Sequence, residues 1–225
     1  MIIVTGASRG LGRAISARLT EKGLNVGGIA RDVSSCSGKV YACDISSYDQ
    51  VKAVVRQLKT SGVKLEGLVN AAGIASMNLA VTTPSGTTAQ IINTNLLGTI
   101  YCCQLFGPML ARQKRGSIVN FSTIAVALGL KGESIYAASK AGVEGFSRAF
   151  AREMADFNVT VNCIAPGPIS TDLIKGVAPH LIENIVRQQI IPKQFGVDAV
   201  CDIVEILLDP KSASLSGQVF HIGGA

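Results

Sequence analysis

A chain of 225 residues with 48% hydrophobic and 16% charged residues buries most of its apolar surface on folding, which excludes a disordered or solvating chain. Its 24 glycines against 7 prolines fit a compact fold with many tight turns. The net charge of +6 is spread along the chain, with only Arg112-Gln113-Lys114-Arg115 clustered, and speaks against nucleic acid as a partner.

The opening Met1-Ile2-Ile3-Val4-Thr5-Gly6 reads as a strand running straight into a glycine turn, leaving no room for a signal or transit peptide. Strands are predicted over Ile2–Thr5, Asn25–Ala30, Val40–Cys43, Gly67–Asn70, Ser117–Phe121, Thr160–Ile164 and Gln218–Ile222. The first helix carries Leu11, Ala14, Ile15 and Leu19 on one face. A second begins at Ser47, which makes a capping-box pattern with Gln50. Further helices fit Thr87–Arg112, Ser134–Asp156 and Val197–Leu208. This alternation predicts an α/β fold, a doubly wound parallel sheet of seven strands with helices on both faces, as a single domain over residues 1–225. Only twelve residues separate Arg31 from Asp44, too few for a full crossover helix, so a helix there is reduced to a turn or absent.

Residues Gly67 to Ala111 carry no charge, yet Asn, Thr, Gln, Ser and Pro84 interrupt the run, so no membrane partner is expected. The six cysteines (Cys36, Cys43, Cys102, Cys103, Cys163 and Cys201) form no Cys-x-x-Cys pair. They read as free thiols in a reducing compartment, giving a cytoplasmic expectation and no metal site.

Thr5-Gly6-Ala7-Ser8-Arg9-Gly10-Leu11-Gly12 lies between the first strand and the first helix. Glycines 6, 10 and 12 allow a tight turn, close approach to a pyrophosphate and close helix packing, while the helix N-terminus offers N–H groups to phosphates. An NAD site places a carboxylate at the end of the second strand, where this chain has Ala30 followed by Arg31 and Asp32. Arg31 and Arg9 are placed to clamp a 2′-phosphate, so NADP is favoured, with Asp32 the residue able to spoil it. Tyr136-Ala137-Ala138-Ser139-Lys140 falls on a predicted helix, which puts Tyr136 and Lys140 on one face. A lysine cation near a phenol favours the phenolate and makes the tyrosine a usable general acid.

With these motifs come Cys43-Asp44-Ile45, Asn70-Ala71-Ala72-Gly73, Asn95-Leu96-Leu97-Gly98, Pro166-Gly167-Pro168-Ile169-Ser170-Thr171 and Ser216-Gly217-Gln218. In this order, from Ile2 to Gly224, the chain resembles a short-chain dehydrogenase/reductase, in the branch of the 3-oxoacyl-carrier-protein reductases and related carbonyl reductases. The resemblance implies that Tyr136 protonates the substrate carbonyl, and that Lys140 holds the nicotinamide ribose and depresses the Tyr136 pKa. It implies that Asn95 binds a water linking Lys140 to solvent. It gives the adenine to Asp44 and Ile45, the cofactor cleft to Asn70, Ala71 and Gly73, and the nicotinamide carboxamide to Ile169 and Thr171, in the motif opened by Pro166 and Gly167. Where the family has a carbonyl-polarising serine thirteen residues before the tyrosine, this chain has Thr123, with Ser122 beside it.

Residues Asp172 to Gln194 are expected to form a lid, made apolar by Leu173, Ile174, Val177, Leu181, Ile182 and Ile185, with His180 on a surface loop. An acidic carrier protein would need basic residues at the cleft mouth, for which Arg112, Lys114 and Arg115 are the candidates. Ala141, Gly142, Gly145 and Phe146 permit close helix contacts, and the resemblance implies a four-helix contact between subunits of a dimer or tetramer. The expected activity is NADPH-dependent reduction of a ketone, foremost a 3-oxoacyl thioester that is free or carrier-bound. Its rivals are an alcohol or sugar dehydrogenase and a non-catalytic NADP sensor.

Overall fold

In the computed structural model every residue is described except Ser35, Ser37, Asp172, Leu173 and Lys175. Seven strands form one sheet: β1 Ile2–Thr5, β2 Val26–Ala30, β3 Lys39–Ala42, β4 Gly67–Asn70, β5 Gly116–Phe121, β6 Val159–Pro166 and β7 Val219–Ile222. All pairings are parallel, in the order β3-β2-β1-β4-β5-β6-β7, so the direction of winding reverses between β1 and β4. The doubly wound parallel sheet read from the sequence is thus the observed one.

Eight α-helices are described: α1 Gly10–Glu21, α2 Tyr48–Thr60, α3 Ser85–Ile92, α4 Gly98–Gln113, α5 Ala125–Leu128, α6 Ser134–Ala155, α7 Pro179–Gln188 and α8 Val197–Leu208. Strand side chains alternate between the two faces of the sheet. Ile3, Leu68, Ile118 and Val161 meet Leu58 of α2, Phe106 and Leu110 of α4 and Met154 of α6. Ile2, Val4, Val69, Val119 and Ile164 meet Ile15 and Leu19 of α1 and Val200, Val204 and Leu207 of α8. On the outer side of that second layer Arg18 of α1 reaches Asp198, Asp202 and Glu205 of α8.

Two elements depart from the sequence reading. The helix expected over Thr87–Arg112 is α3 and α4 joined by a π-turn over Asn93–Leu97. Around α2, Ser47 caps Gln50 N at 3.4 Å, but the Gln50 side chain does not return to Ser47; its Oε1 accepts instead from Asp44 N at 2.8 Å.

The β2–β3 link contains no helix among its described residues. On the α1 side this edge of the sheet presents Gly28, Ala30, Val40 and Ala42. A Cβ on Gly28 would stand 3.0 Å from Val40 Cγ1, so Val40 lies over the glycine. Such small residues leave little apolar surface for a helix to cover. All six cysteines are free, five of them buried and Cys36 partly so. No helix is long and apolar enough to cross a membrane, and no metal-ligand cluster occurs, among the described residues.

Packing is tight where β1 turns into α1. A Cβ on Gly12 would press into the Gly6 and Thr5 carbonyl oxygens, 2.8 Å from the latter, whereas one on Gly86 of α3 would meet nothing within 4 Å. Gly12→Ala is therefore expected to cost roughly 1–3 kcal/mol or more. Gly86→Ala is expected to stabilise by about 0.5–1 kcal/mol. Urea denaturation of the two variants measures both, and equal effects would remove the packing argument.

Candidate active site

A cleft of about 660 Å³ opens at the carboxyl ends of the strands, where β1 and β4 diverge. One end is walled by the expected glycine-turn residues Gly6, Ser8, Arg9, Gly10 and Leu11, with Arg31, Asp44 and Ile45. Ala71 and Gly73 line its middle, and Thr123, Tyr136, Lys140, Pro166, Gly167, Ile169 and Thr171 the other end.

Three expected residues stand off this wall. Gly12 faces the β1 turn, where it allows the helix to approach. Asn70 does not line the cleft: it shares a strand face with Leu68 and is buried, donating to Asn120 Oδ1 at 2.8 Å and to Cys103 Sγ at 3.4 Å. Asn95 is fully buried in the π-turn. It accepts from Ile74 N at 2.9 Å, donates to Ile74 O at 2.9 Å, and donates to Ser139 Oγ at 3.1 Å. That leaves its side chain one free lone pair on Oδ1. A Cβ on Gly73 would lie 3.3 Å from that Oδ1 and 3.5 Å from Lys140 Nζ, so the glycine keeps the two groups adjacent.

The catalytic end is built by α6 against the exit of β5. Lys140 is buried and donates from Nζ to Phe121 O at 2.8 Å. Ser122 Oγ donates to Glu144 Oε1 at 2.6 Å, and Glu144 also takes Arg148 at 3.3 Å. The Ser122 hydroxyl is thereby turned toward α6. Thr123 Oγ1 accepts from Ala125 N at 3.2 Å and hydrogen-bonds with Tyr136.

The electrostatics correct one expectation. Burial pushes the Tyr136 phenol above its usual range, and the Glu133 charge adds to this, while the Thr123 hydrogen bond acts the other way. Lys140, whose amine donates to Phe121 O, is not among the groups that lower it. Burial pushes the Lys140 ammonium down to about 8, with Cys163 opposing. Glu133, which the sequence reading passed over, lines the cleft beside Tyr136, and burial raises its carboxyl pKa. Its sequence signal is a carboxylate three residues before the tyrosine, at helical spacing.

The residues at the first end fit a dinucleotide. The N-terminus of α1 opens on Gly10 and Leu11 with no side-chain cap, so its first N–H groups face the cleft. Arg9 and Arg31 are exposed and make no ion pair among the described residues. Asp32 is held by Ser34, whose N and Oγ both donate to Oδ1, at 2.9 and 2.7 Å.

Ile174, Val177, Ile182 and Ile185 of the expected lid line the cleft. Leu181 is instead 41% exposed, His180 is on the surface, and Asp172 and Leu173 lie outside the described residues. The basic run is misplaced for docking at the cleft. Lys114 and Arg115 precede β5 at its amino end, about 20 Å of strand from Phe121. Arg115 there reaches Glu66 at 3.6 Å.

A switch-point cleft joining a glycine turn to a Tyr–Lys pair defines a nucleotide-dependent oxidoreductase architecture. A family model described as enoyl-(acyl carrier protein) reductase matches residues 6–224. The chain belongs to the short-chain dehydrogenase/reductase family and is an oxidoreductase. A Staphylococcus aureus protein named 3-oxoacyl-acyl-carrier-protein reductase FabG is 35% identical over 237 residues, covering 99% of this chain and 96% of its own. Ligand-free aldohexose dehydrogenase from Thermoplasma acidophilum is similar in structure, with a TM-score of 0.89 and 28% identity over 99% of this chain and 92% of that one. ElxO, solved with NADP bound, has a TM-score of 0.87 and 26% identity over 98% and 96%.

The buried Lys140 gives a signed pH effect. Its folded value of about 8 lies below the usual 10.5, so the unfolded chain binds more protons between these limits and the group's contribution to stability rises with pH there. Lys140→Met removes a penalty of about 3 kcal/mol that acts below pH ~8. The variant's stability relative to wild type should therefore fall between pH 8 and 10.5, as measured by urea denaturation. A difference independent of pH would contradict the buried amine.

Proposed function

We propose that this chain is an NADPH-dependent reductase that converts a ketone to a secondary alcohol, with a 3-oxoacyl thioester as its substrate. The observation that carries this reading is the meeting of Tyr136, Thr123 and Lys140 on the wall of a cleft whose other end holds two arginines that form no ion pair among the described residues. The α1 N-terminus would hold the pyrophosphate, Asp44 and Ile45 the adenine, and Arg9 and Arg31 the 2′-phosphate. Lys140 would hold the nicotinamide ribose, with Ile169 and Thr171 beside the carboxamide. When bound, the cofactor supplies the hydride.

Thr123 donates a hydrogen bond to the substrate carbonyl, and Tyr136 gives that oxygen its proton. Burial and Glu133 push the Tyr136 phenol up, so it holds its proton until the more basic alkoxide oxygen formed by hydride transfer takes it. Asn95 fixes the Gly73–Ile74 backbone, and the point between its Oδ1 and Lys140 Nζ suits a water that returns protons to Lys140. The apolar wall of Ile174, Val177, Ile182 and Ile185 supports an acyl chain over a sugar. The name of the S. aureus relative supports the 3-oxoacyl class, and bound NADP in ElxO supports the cofactor. A carrier-bound substrate would have to dock elsewhere than on residues 112–115.

The same reading takes the chain as one cytoplasmic domain that assembles as a dimer or tetramer through α4 and α6. A Cβ on Gly145 would meet nothing within 4 Å, which leaves it open to a neighbour, while Gly142 already packs on Leu96 within the chain.

NADPH oxidation with an acetoacetyl thioester tests the proposal. Tyr136→Phe should lower kcat roughly 100-fold or more. Loss of turnover in that variant also sets aside the sensor, which has no use for a proton donor. Thr123→Ala should lower kcat at least about tenfold. Ser122→Ala should mainly cost stability, about 1–3 kcal/mol, by leaving Glu144 short of a donor. The reverse order would reassign the carbonyl-polarising hydroxyl. Arg31→Ala should raise the NADPH KM about tenfold with far less effect on NADH. An equal effect on both cofactors would refute the 2′-phosphate clamp.

A further inference from the structure

Glu133 is a carboxylate without a structural task. It sits at the N-cap position of α6, where an acidic side chain ordinarily accepts from the first N–H groups, yet it makes no side-chain cap. Its main chain is fully engaged, N donating to Leu130 O at 3.2 Å and O accepting from Ala137 N at 2.7 Å. Among the described residues no cation pairs with its side chain. Instead it lines the cleft, one helical turn before Tyr136, in company with Leu130, Met77 and the lid residues Ile174 and Ile182.

A carboxylate half-buried among apolar side chains is costly unless a donor meets it. Nothing in the described chain supplies that donor, and Glu133 lines the cleft that a substrate of Tyr136 would enter. We propose that Glu133 selects the substrate, accepting a hydrogen bond from an N–H or O–H group carried near the ketone and turning away ketones with a carboxylate there. This rests on the ketone-reductase reading, under which the donor is the amide N–H of the thioester arm. The same carboxylate acts on Tyr136, so a substrate donor that engages it also weakens its hold on the phenol proton.

The test compares kcat/KM for two acetoacetyl thioesters, that of N-acetylcysteamine, which carries an amide N–H, and that of ethanethiol, which carries none. The ratio between them should fall at least about tenfold in Glu133→Ala. Glu133→Gln, which keeps an acceptor oxygen and nearly the same shape, should retain more of it. A ratio unchanged in Glu133→Ala overturns the proposal while leaving the thioester reading intact. If the wild type reduces neither compound, the thioester reading fails. Glu133 is then tested by calorimetry on NADPH-loaded protein, with isobutyramide and isobutyrate as probes. A wild-type preference for the amide that drops about tenfold in Glu133→Ala supports the selection; the same preference in both proteins overturns it.

Discussion

The site depends on how one edge of α6 grips the three residues leaving β5. Tyr136, Lys140 and Glu144 are spaced four apart, so they rise along one edge of the helix at about 6 Å intervals. Each takes a different residue: Tyr136 meets the Thr123 hydroxyl, Lys140 the Phe121 carbonyl and Glu144 the Ser122 hydroxyl. Arg148, four residues further on, completes the series by holding Glu144. A buried carboxylate with both a hydroxyl and a guanidinium is stable where a lone one is not. The consequence reaches the chemistry, because tying Ser122 to Glu144 leaves Thr123 as the hydroxyl beside the phenol.

The cleft is also polarised from end to end. At the β2 end stand Arg9, Arg31 and the bare N-terminus of α1, all favouring anions. At the catalytic end stand Glu133, which favours donors, beside Tyr136, and the buried amine of Lys140. A long ligand with phosphates at one end and a neutral reacting group at the other meets complementary charge along its length. The Asp32 carboxylate would break this pattern, but the Ser34 donors hold it in a local turn.

Much of this was legible in the chain because buried parallel strands read as short apolar runs: the limits of β1 and β4 are those expected, and the others differ by one or two residues at one or both ends. Tyr136 and Lys140 share a wall as helical spacing requires, and the glycine turn sits where strand meets helix. What the sequence reading missed depends on orientation and on distant partners. Asn70 looked like a cleft residue, although the two-residue alternation with Leu68 already placed it on the α4 side. The basic run at 112–115 closes a helix whose direction a local pattern does not report, and it lies at the opposite end of the sheet. The Tyr136 phenol was expected to fall in pKa because Lys140 is close in sequence; burial and Glu133 decide the sign instead.

The π-turn at Asn93–Leu97 looked like ordinary helix because apolar spacing barely distinguishes a four-residue from a five-residue ladder. It carries one residue more than the α-helical path, and this extra residue lets Asn95 reach both backbone groups of Ile74. Deleting that residue would return the segment to an ordinary α-helical path and withdraw Asn95 from the Ile74 backbone groups, while α3 and α4 kept their register. Between Ile92 and Gly98 the chain is bound by its length more than by its composition. Insertions and deletions there would be selected against even at positions where substitutions are tolerated.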